Sequence, residues 1–305
     1  MQRRIDSVLT LDESRGTALT IAKHRVDLHL PPPFVDVVGN PAYRSFLSRE
    51  PEADAELTFH VVDRDELDSL WAARATARGY PFGAHPILNC PTVTERYLSR
   101  HASDLSLLNV ALADFLRPST WTMDAFAFAP TDVEQYLRTR LFVLVGSRLA
   151  ASDGVIVHGS GFVLDGAAAA VIGPSEAGKT TAARLVQGDR LLSDDVVAVT
   201  DLDGEPQLHA TPFGRESDGV GSAPLRAIFF PRKQAAFSLQ PLTARQALIR
   251  SATEQADTLQ GLFHPYGGMA IRNLGRLFRK VPAYELGFSL DGIDREAVRR
   301  VLSGS

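Results

Sequence analysis

A single cysteine, Cys90, in 305 residues leaves no partner for an intrachain disulfide and no ligand set for a cysteine-built zinc site. A lone thiol of this kind is expected as a small buried hydrophobe rather than a nucleophile. Long apolar runs are lacking too. Leu141–Val145 and Ala167–Ile172 are too short to cross a bilayer as helices, and the charged stretch Met1–Gly16 has no apolar centre of the kind a secretory signal needs. Neither sign of charge is in marked excess: the formal net charge is −4 and the isoelectric point about 6.1. That gives no electrostatic ground for nucleic acid or an anionic membrane as partner. No internal repeat is visible, and no low-complexity tract is longer than Ala167–Ala170. These absences predict a soluble, cytoplasmic protein.

What is present is an average globular composition, 45% hydrophobic and 22% charged, enough for one large or two ordinary domains. In the first half, Val26, Leu28 and Leu30 alternate with polar residues up to Pro31-Pro32-Pro33, which predicts a strand and an extended corner. Glu56–Val62 reads as a second strand. Asp65–Arg78 has helical spacing with Gly79 as a stop, and Leu105–Leu116 and Val133–Leu149 are further helices, the latter opened by Thr131-Asp132. From about Asp153 short Val, Ile and Ala runs alternate with glycine turns. They are Val155–Val157, Phe162–Leu164 and Ala168–Ile172, the last two joined by an Asp165-Gly166 hairpin signal. A glycine loop, a helix to about Gln187 and a strand Leu191–Val199 follow. Leu225–Phe230 and Tyr284–Leu290 read as strands; Thr243–Leu262, Ile271–Phe278 and Asp294–Leu302 read as helices. The expected division is residues 1–150, a smaller α+β domain, and residues 151–305, an α/β domain.

The glycine loop is Gly173-Pro174-Ser175-Glu176-Ala177-Gly178-Lys179-Thr180, followed by Thr181. Its pattern, G-x-x-x-x-G-K-[ST], lets backbone N–H groups wrap a chain of phosphates. Lys179 bridges the outer phosphates in such a loop, and Thr180 offers its hydroxyl to Mg²⁺. A chance match in a chain this long is roughly a 1% event at average residue usage. The expected cofactors are therefore ATP and Mg²⁺. Glu176 stands where many such loops carry a third glycine; its carboxylate lowers phosphate affinity without removing a backbone donor.

Asp194-Asp195 follow after one short helix and a strand, where phosphate transfer needs carboxylates: one to hold Mg²⁺, one to take a proton from an attacking hydroxyl. Neighbouring residues of a strand face opposite ways, so both reach one site only at a strand end or bulge. His158, at the end of Val155–Val157, is either a packed residue or a group that touches phosphate or orients a carboxylate.

Val157-His158-Gly159-Ser160, the hairpin, Gly173–Thr181 and Leu192-Ser193-Asp194-Asp195 together resemble the catalytic domain of the HPr kinase/phosphorylase family. They are more similar still to HPr-kinase-like proteins such as lasso-peptide precursor kinases. His209–Gly214, Ala223–Phe230 and Val281–Leu286 fit the same related group, so the resemblance covers about half the chain. It implies a P-loop core of the HPr kinase/phosphoenolpyruvate carboxykinase type with a bent mixed sheet. It also implies ATP-dependent phosphorylation of a serine or threonine hydroxyl in a protein or peptide. On that reading His158, Lys179, Asp194 and Asp195 are catalytic, and Thr180, Asp194 and Asp195 serve the metal. Which aspartate is the base stays open. Arg215 and Arg226 are candidates for substrate contact, and the resemblance leaves room for a homo-oligomer. The glycine-rich signature that HPr kinases carry after the acidic pair has no counterpart here. The first half matches no segment of that family's N-terminal domain; only its position suggests substrate recognition. Two other readings remain: a kinase for a small or amino-acid hydroxyl, and a nucleotide-gated regulatory protein with little turnover. An ATPase of the chromosome-maintenance or transporter type lacks its signature loop and heptad arm.

Overall fold

The computed structural model describes residues 15–32, 34–48, 52–61, 115–117, 119–127, 133–260, 262, 266–290 and 292–304. The helix expected over Asp65–Arg78, most of that over Leu105–Leu116, and Cys90 lie outside the described residues. The protein is a mixed α/β chain with two mixed sheets. It divides into two compact units, one of residues 1–20, 24–40 and 47–144, the other of residues 21–23, 41–46 and 145–305.

The first unit holds a five-stranded sheet in the order β1 (Arg15–Ile21), β2 (His24–Leu30), β3 (Ala55–Val61), β5 (Thr122–Ala127), β4 (Phe115–Arg117). Strands β2, β3 and β5 run parallel. Two single-turn helices, α1 (Phe34–Val37) and α2 (Pro41–Arg44), follow β2 in the chain. Alternation in β2 buries Val26, Leu28 and Leu30, as its period-two pattern requires. Phe34 stacks on Phe59 at 4.5 Å. Phe115–Arg117 is a strand rather than the end of a helix, because it pairs antiparallel with β5; sheet pairing overrides a helical spacing that reaches only its first two residues.

Helix α3 (Val133–Ala151) carries the chain across the division, which falls between Leu144 and Val145. In the second unit the strand order is β10 (Gln207–His209), β9 (Val196–Thr200), β6 (Val155–Leu164), β7 (Ala167–Ile172), β11 (Ser222–Lys233), β13 (Ala283–Phe288), β12 (Ser238–Leu242), with β8 (Arg190–Ser193) paired to β6. β10 also pairs with β11, so the run from β9 to β11 curls until β10 joins both of its ends. The centre, β7–β11–β13, is parallel. Val155–Val157 and Phe162–Leu164 belong to one continuous strand, β6, which turns through Asp165 and Gly166, both at positive φ, into β7. Alanine favours helix, yet Ala168–Ala170 lie in a strand buried on both faces. Burial between two neighbouring strands outweighs a propensity difference of a few tenths of a kcal/mol per residue.

One face of this sheet is covered by α4 (Lys179–Leu185) and α8 (Arg295–Ser303). Ala182, Val186, Val298 and Leu302 pack there on Val171, Phe229 and Leu286. Each fully buried side chain of Val, Leu or Phe size contributes about 1.5–3 kcal/mol. Asp294 caps α8 by accepting from the Ala297 N–H. The helix expected over Thr243–Leu262 is two, α5 (Ala244–Glu254) and α6 (Ala256–Gln260), broken at Gln255. Thr243 and Gln246 close a capping box at the start of α5. In α7 (Tyr266–Lys280), Asn273 donates to the carbonyls of Ala150 and Gly154 at 3.1 and 2.8 Å. The first bond occupies an acceptor in the last turn of α3, the second one in the connection that follows it. Among the described residues no helix is long and apolar enough to cross a membrane.

Candidate functional site

The loop from Gly173 leaves the C-terminal end of β7 and enters α4 at Lys179. In sheets with parallel strands, this is the end where ligands gather. Two conformations make the loop tight. Gly178, the residue before α4, has φ 95°, and a Cβ there would lie 2.9 Å from Cζ of Phe288; glycine alone fits. Glu176 has φ 66°, which costs a side-chain-bearing residue about 1–2 kcal/mol. That is the physical reason a glycine suits this position. The exposed Glu176 carboxylate sits at the rim of the pocket.

The expected strand Leu191–Val199 is interrupted. β8 ends at Ser193 and β9 begins at Val196, so Asp194 and Asp195 occupy a break between two strands that both pair with β6. Both residues thus sit at strand ends, where adjacent carboxylates can reach one site.

The two aspartates do different things. Oδ1 of Asp194 accepts from the backbone N–H groups of Arg215 (2.8 Å) and Glu216 (3.1 Å), and the Asp194 N–H donates to the Glu216 carbonyl at 3.1 Å. The loop after β10 is thereby tied to the strand break. A Cβ on Gly214 would come within 2.5 Å of that same Oδ1, which explains a glycine there. The carbonyl of Asp194 accepts from Ser160 (2.7 Å) and Thr180 (3.0 Å), fixing the first turn of α4 against β6. Asp195 instead takes the imidazole of His158: Nε2 lies 2.8 Å from Oδ1. With a carboxylate as partner, Nε2 carries the proton. The Asp195 side chain keeps 48% of its surface open.

Lys179 is 8% exposed and donates to the Pro174 carbonyl at 3.0 Å. Burial pulls its ammonium pKa below the usual lysine value, against the attraction of Asp195 and Glu254. Glu254, at the end of α5, is pushed above the usual carboxylate range by burial, opposed by Arg250 and Lys179. Its Oε1 holds Arg250 at 2.8 Å; Arg250 reaches Glu285 at 2.9 Å, and Glu285 holds Arg232 at 3.0 Å. Alternating charges thus run from the surface to the neighbourhood of Lys179. Oε2 of Glu254 is buried and has no hydrogen-bond partner among the described residues.

His158, Ser175, Glu176, Gly178, Lys179, Thr180, Thr181, Asp194 and Asp195 line one pocket of about 560 Å³. Gly173, Pro174 and Ala177 belong to the loop but not to its lining. Arg215 contributes its backbone N–H to Asp194 while its side chain is exposed. Arg226 is elsewhere: it pairs with Glu205 at 2.7 Å and lines a separate cavity with Lys280 and Pro282. Seven residues of extended strand, roughly 23 Å, separate it from the C-terminal end of β11. Sequence reasoning missed the residue at that end, Lys233, which lines the pocket and approaches Gly178 through its Cε. Its signal would have been position, the last residue of a strand parallel to β7; without the pairing, it reads as one more surface lysine. Glu254 and Gln255 were missed for a similar reason, being distant in sequence. Among the described residues no three His, Cys, Asp or Glu side chains gather as a metal site. No family model matches the chain, and no curated protein matches it.

Proposed function

We propose that this chain is an ATP-dependent kinase that transfers the γ-phosphate to a serine or threonine hydroxyl of a protein or peptide, on a P-loop core of the HPr kinase type. One observation carries the reading. A histidine-oriented carboxylate, Asp195, opens into the same pocket as the loop lysine Lys179 and the loop hydroxyl Thr180. A nucleotide binder needs the loop; only group transfer needs a base beside it.

The loop and Lys179 hold the phosphates, with Lys233 as a second cation at the mouth. Asp195 takes the proton of the acceptor hydroxyl as its oxygen bonds to the γ-phosphorus and the bond to the ADP oxygen breaks. His158 keeps the Asp195 carboxylate turned to the pocket. Asp194 braces the 214–216 loop. The oxygen donors present, a threonine hydroxyl and carboxylates, suit Mg²⁺, which keeps most of its shell as water and phosphate oxygens. Thr180 and Asp194 would hold it. A bound Mg²⁺ supplies charge neutralisation on the transferring phosphoryl oxygens.

The test is mass spectrometry after incubation with Mg–ATP and three acceptors: HPr, free serine, and a serine-terminated peptide. One added phosphate on the protein or the peptide, lost in Lys179→Ala together with ATP affinity, is the expected result. Phosphate on free serine alone would move the substrate to small hydroxyls. Tight ATP binding with no transfer to any acceptor would sink the kinase reading in favour of a regulatory one. Transfer undiminished in Lys179→Ala would remove the loop from the mechanism.

A further inference from the structure

The break between α5 and α6 places an amide side chain on the main chain of His158. Gln255 is 1% exposed. Its Oε1 accepts from the His158 N–H at 2.6 Å, and its Nε2 donates to the His158 carbonyl at 2.8 Å. Its own backbone is occupied within the helices, with the N–H bonded to Ser251 and the carbonyl accepting from Leu259.

The sheet explains why a side chain is needed there. Along a strand, successive residues point their N–H and C=O to opposite edges. Gly159 turns its N–H to the Asp195 carbonyl, at 2.7 Å, so His158 presents both of its groups to the other edge. On that edge β6 is paired with β7 only from Gly159 onward, because β7 ends at Ile172 and the chain departs into the glycine loop. The loop that lines the pocket therefore deprives His158 of a neighbouring strand. Gln255 replaces that strand for one residue. A primary amide is the side chain that can accept from an N–H and donate to a carbonyl at once, and its burial is tolerated because both groups are bonded.

From this geometry we infer that Gln255 is a positioning residue for the His158–Asp195 pair: it fixes the main chain of His158 so that the ring meets Asp195 at the pocket. The residue before it, Glu254, faces Lys179 electrostatically, so the end of α5 addresses both the base and the phosphate-binding cation. The inference rests on the kinase reading for its catalytic consequence, but its structural half can be read without turnover.

Gln255→Met keeps side-chain length and removes both bonds. In ¹⁵N spectra of the imidazole, the unaltered protein should show His158 as one tautomer with the proton on Nε2, and the variant a mixture. Turnover, read as phosphate transferred to whichever acceptor is used or released to water, should fall about 10–100-fold, the scale of a misplacement near 1 Å, while KM for ATP stays within about twofold. Unchanged ring signals, or undiminished turnover in a cooperatively melting variant, would overturn the assignment. So would an equal loss in kcat and ATP affinity, since that reports a collapsed pocket. Should Gln255→Met not melt cooperatively, amide exchange of His158 in the unaltered protein decides. Protection like that of a strand interior is expected; free exchange would overturn the clamp. If the unaltered protein neither transfers nor releases phosphate, the kinase reading fails while the ring result still judges the clamp.

Discussion

Replacing each aspartate of the pair by asparagine separates two roles that adjacent residues with the same side chain would otherwise blur. In Asp195→Asn the amide oxygen can still accept from Nε2 of His158, so the 2.8 Å contact loses only its charge assistance, about 1 kcal/mol in a half-open position. Its capacity to take a proton disappears. Transfer should fall about 10²–10⁴-fold, equivalent to roughly 3–5 kcal/mol in the barrier. In Asp194→Asn the amide oxygen can accept the same two N–H groups, of Arg215 and Glu216, at 2.8 and 3.1 Å. Each bond declines from charge-assisted to neutral, and the total is about 1–2 kcal/mol. For a unit of this size that lowers Tm by about 2–8 °C, and the Mg²⁺ needed for half-maximal rate should rise with kcat at saturating Mg²⁺ largely kept. Melting curves and initial rates across a Mg²⁺ titration, on both variants, measure all of this. An inactive Asp194→Asn at saturating Mg²⁺ beside an active Asp195→Asn would refute the assignment of the base.

Lys233→Ala should raise KM for ATP about tenfold with Tm unchanged, since an exposed cation at the pocket mouth acts on phosphate and not on folding; unaltered ATP affinity would remove it from the site. Gly178→Ala should cost about 1–2 kcal/mol for its φ of 95°, further strain from the 2.9 Å approach to Phe288, and much of the ATP affinity. Gly166→Ala, with φ 78° and open space around it, should show the conformational cost alone, and equal effects of the two on ATP binding would contradict the loop's role. For Glu254 the sign follows from its raised pKa: the native state holds this proton longer than the unfolded chain, so the group's contribution is fullest below the usual glutamate value and is lost as pH rises through the folded one. Glu254→Gln, which does not titrate, should gain in Tm relative to the unaltered protein as pH rises from about 4 toward neutrality. A constant difference across that range would show that burial does not govern this carboxylate.

The loop Gly173–Thr181 was legible because its chemistry is local. Glycines that free the backbone, a lysine and a threonine stand at set spacings within one short segment, and the hairpin at Asp165-Gly166 is likewise written in adjacent residues. β7, α3 and α8 could be read from local apolar runs and helix signals for the same reason, and β6 as two runs that the structure joins into one strand. Asp194-Asp195 could be marked as candidates, and the requirement for a strand end could be stated, but the residues alone could not place the break. It depends on where β8 stops and β9 starts along their shared partner β6. The division of labour between the aspartates came only from tertiary structure, since it turns on the partners of otherwise identical carboxylates: backbone N–H groups from 215–216 for one, His158 for the other. Lys233 lines the pocket, and Glu254 and Gln255 act on Lys179 and His158 in its lining, from strand and helix ends 38 to 97 residues away from Asp195 or His158 in sequence. Arg226, a candidate for substrate contact by sequence, lies toward the other end of the same strand as Lys233. Nothing in a side chain's identity states which end of a sheet it will occupy; strand register decides that, and register is set by the packing of the whole unit.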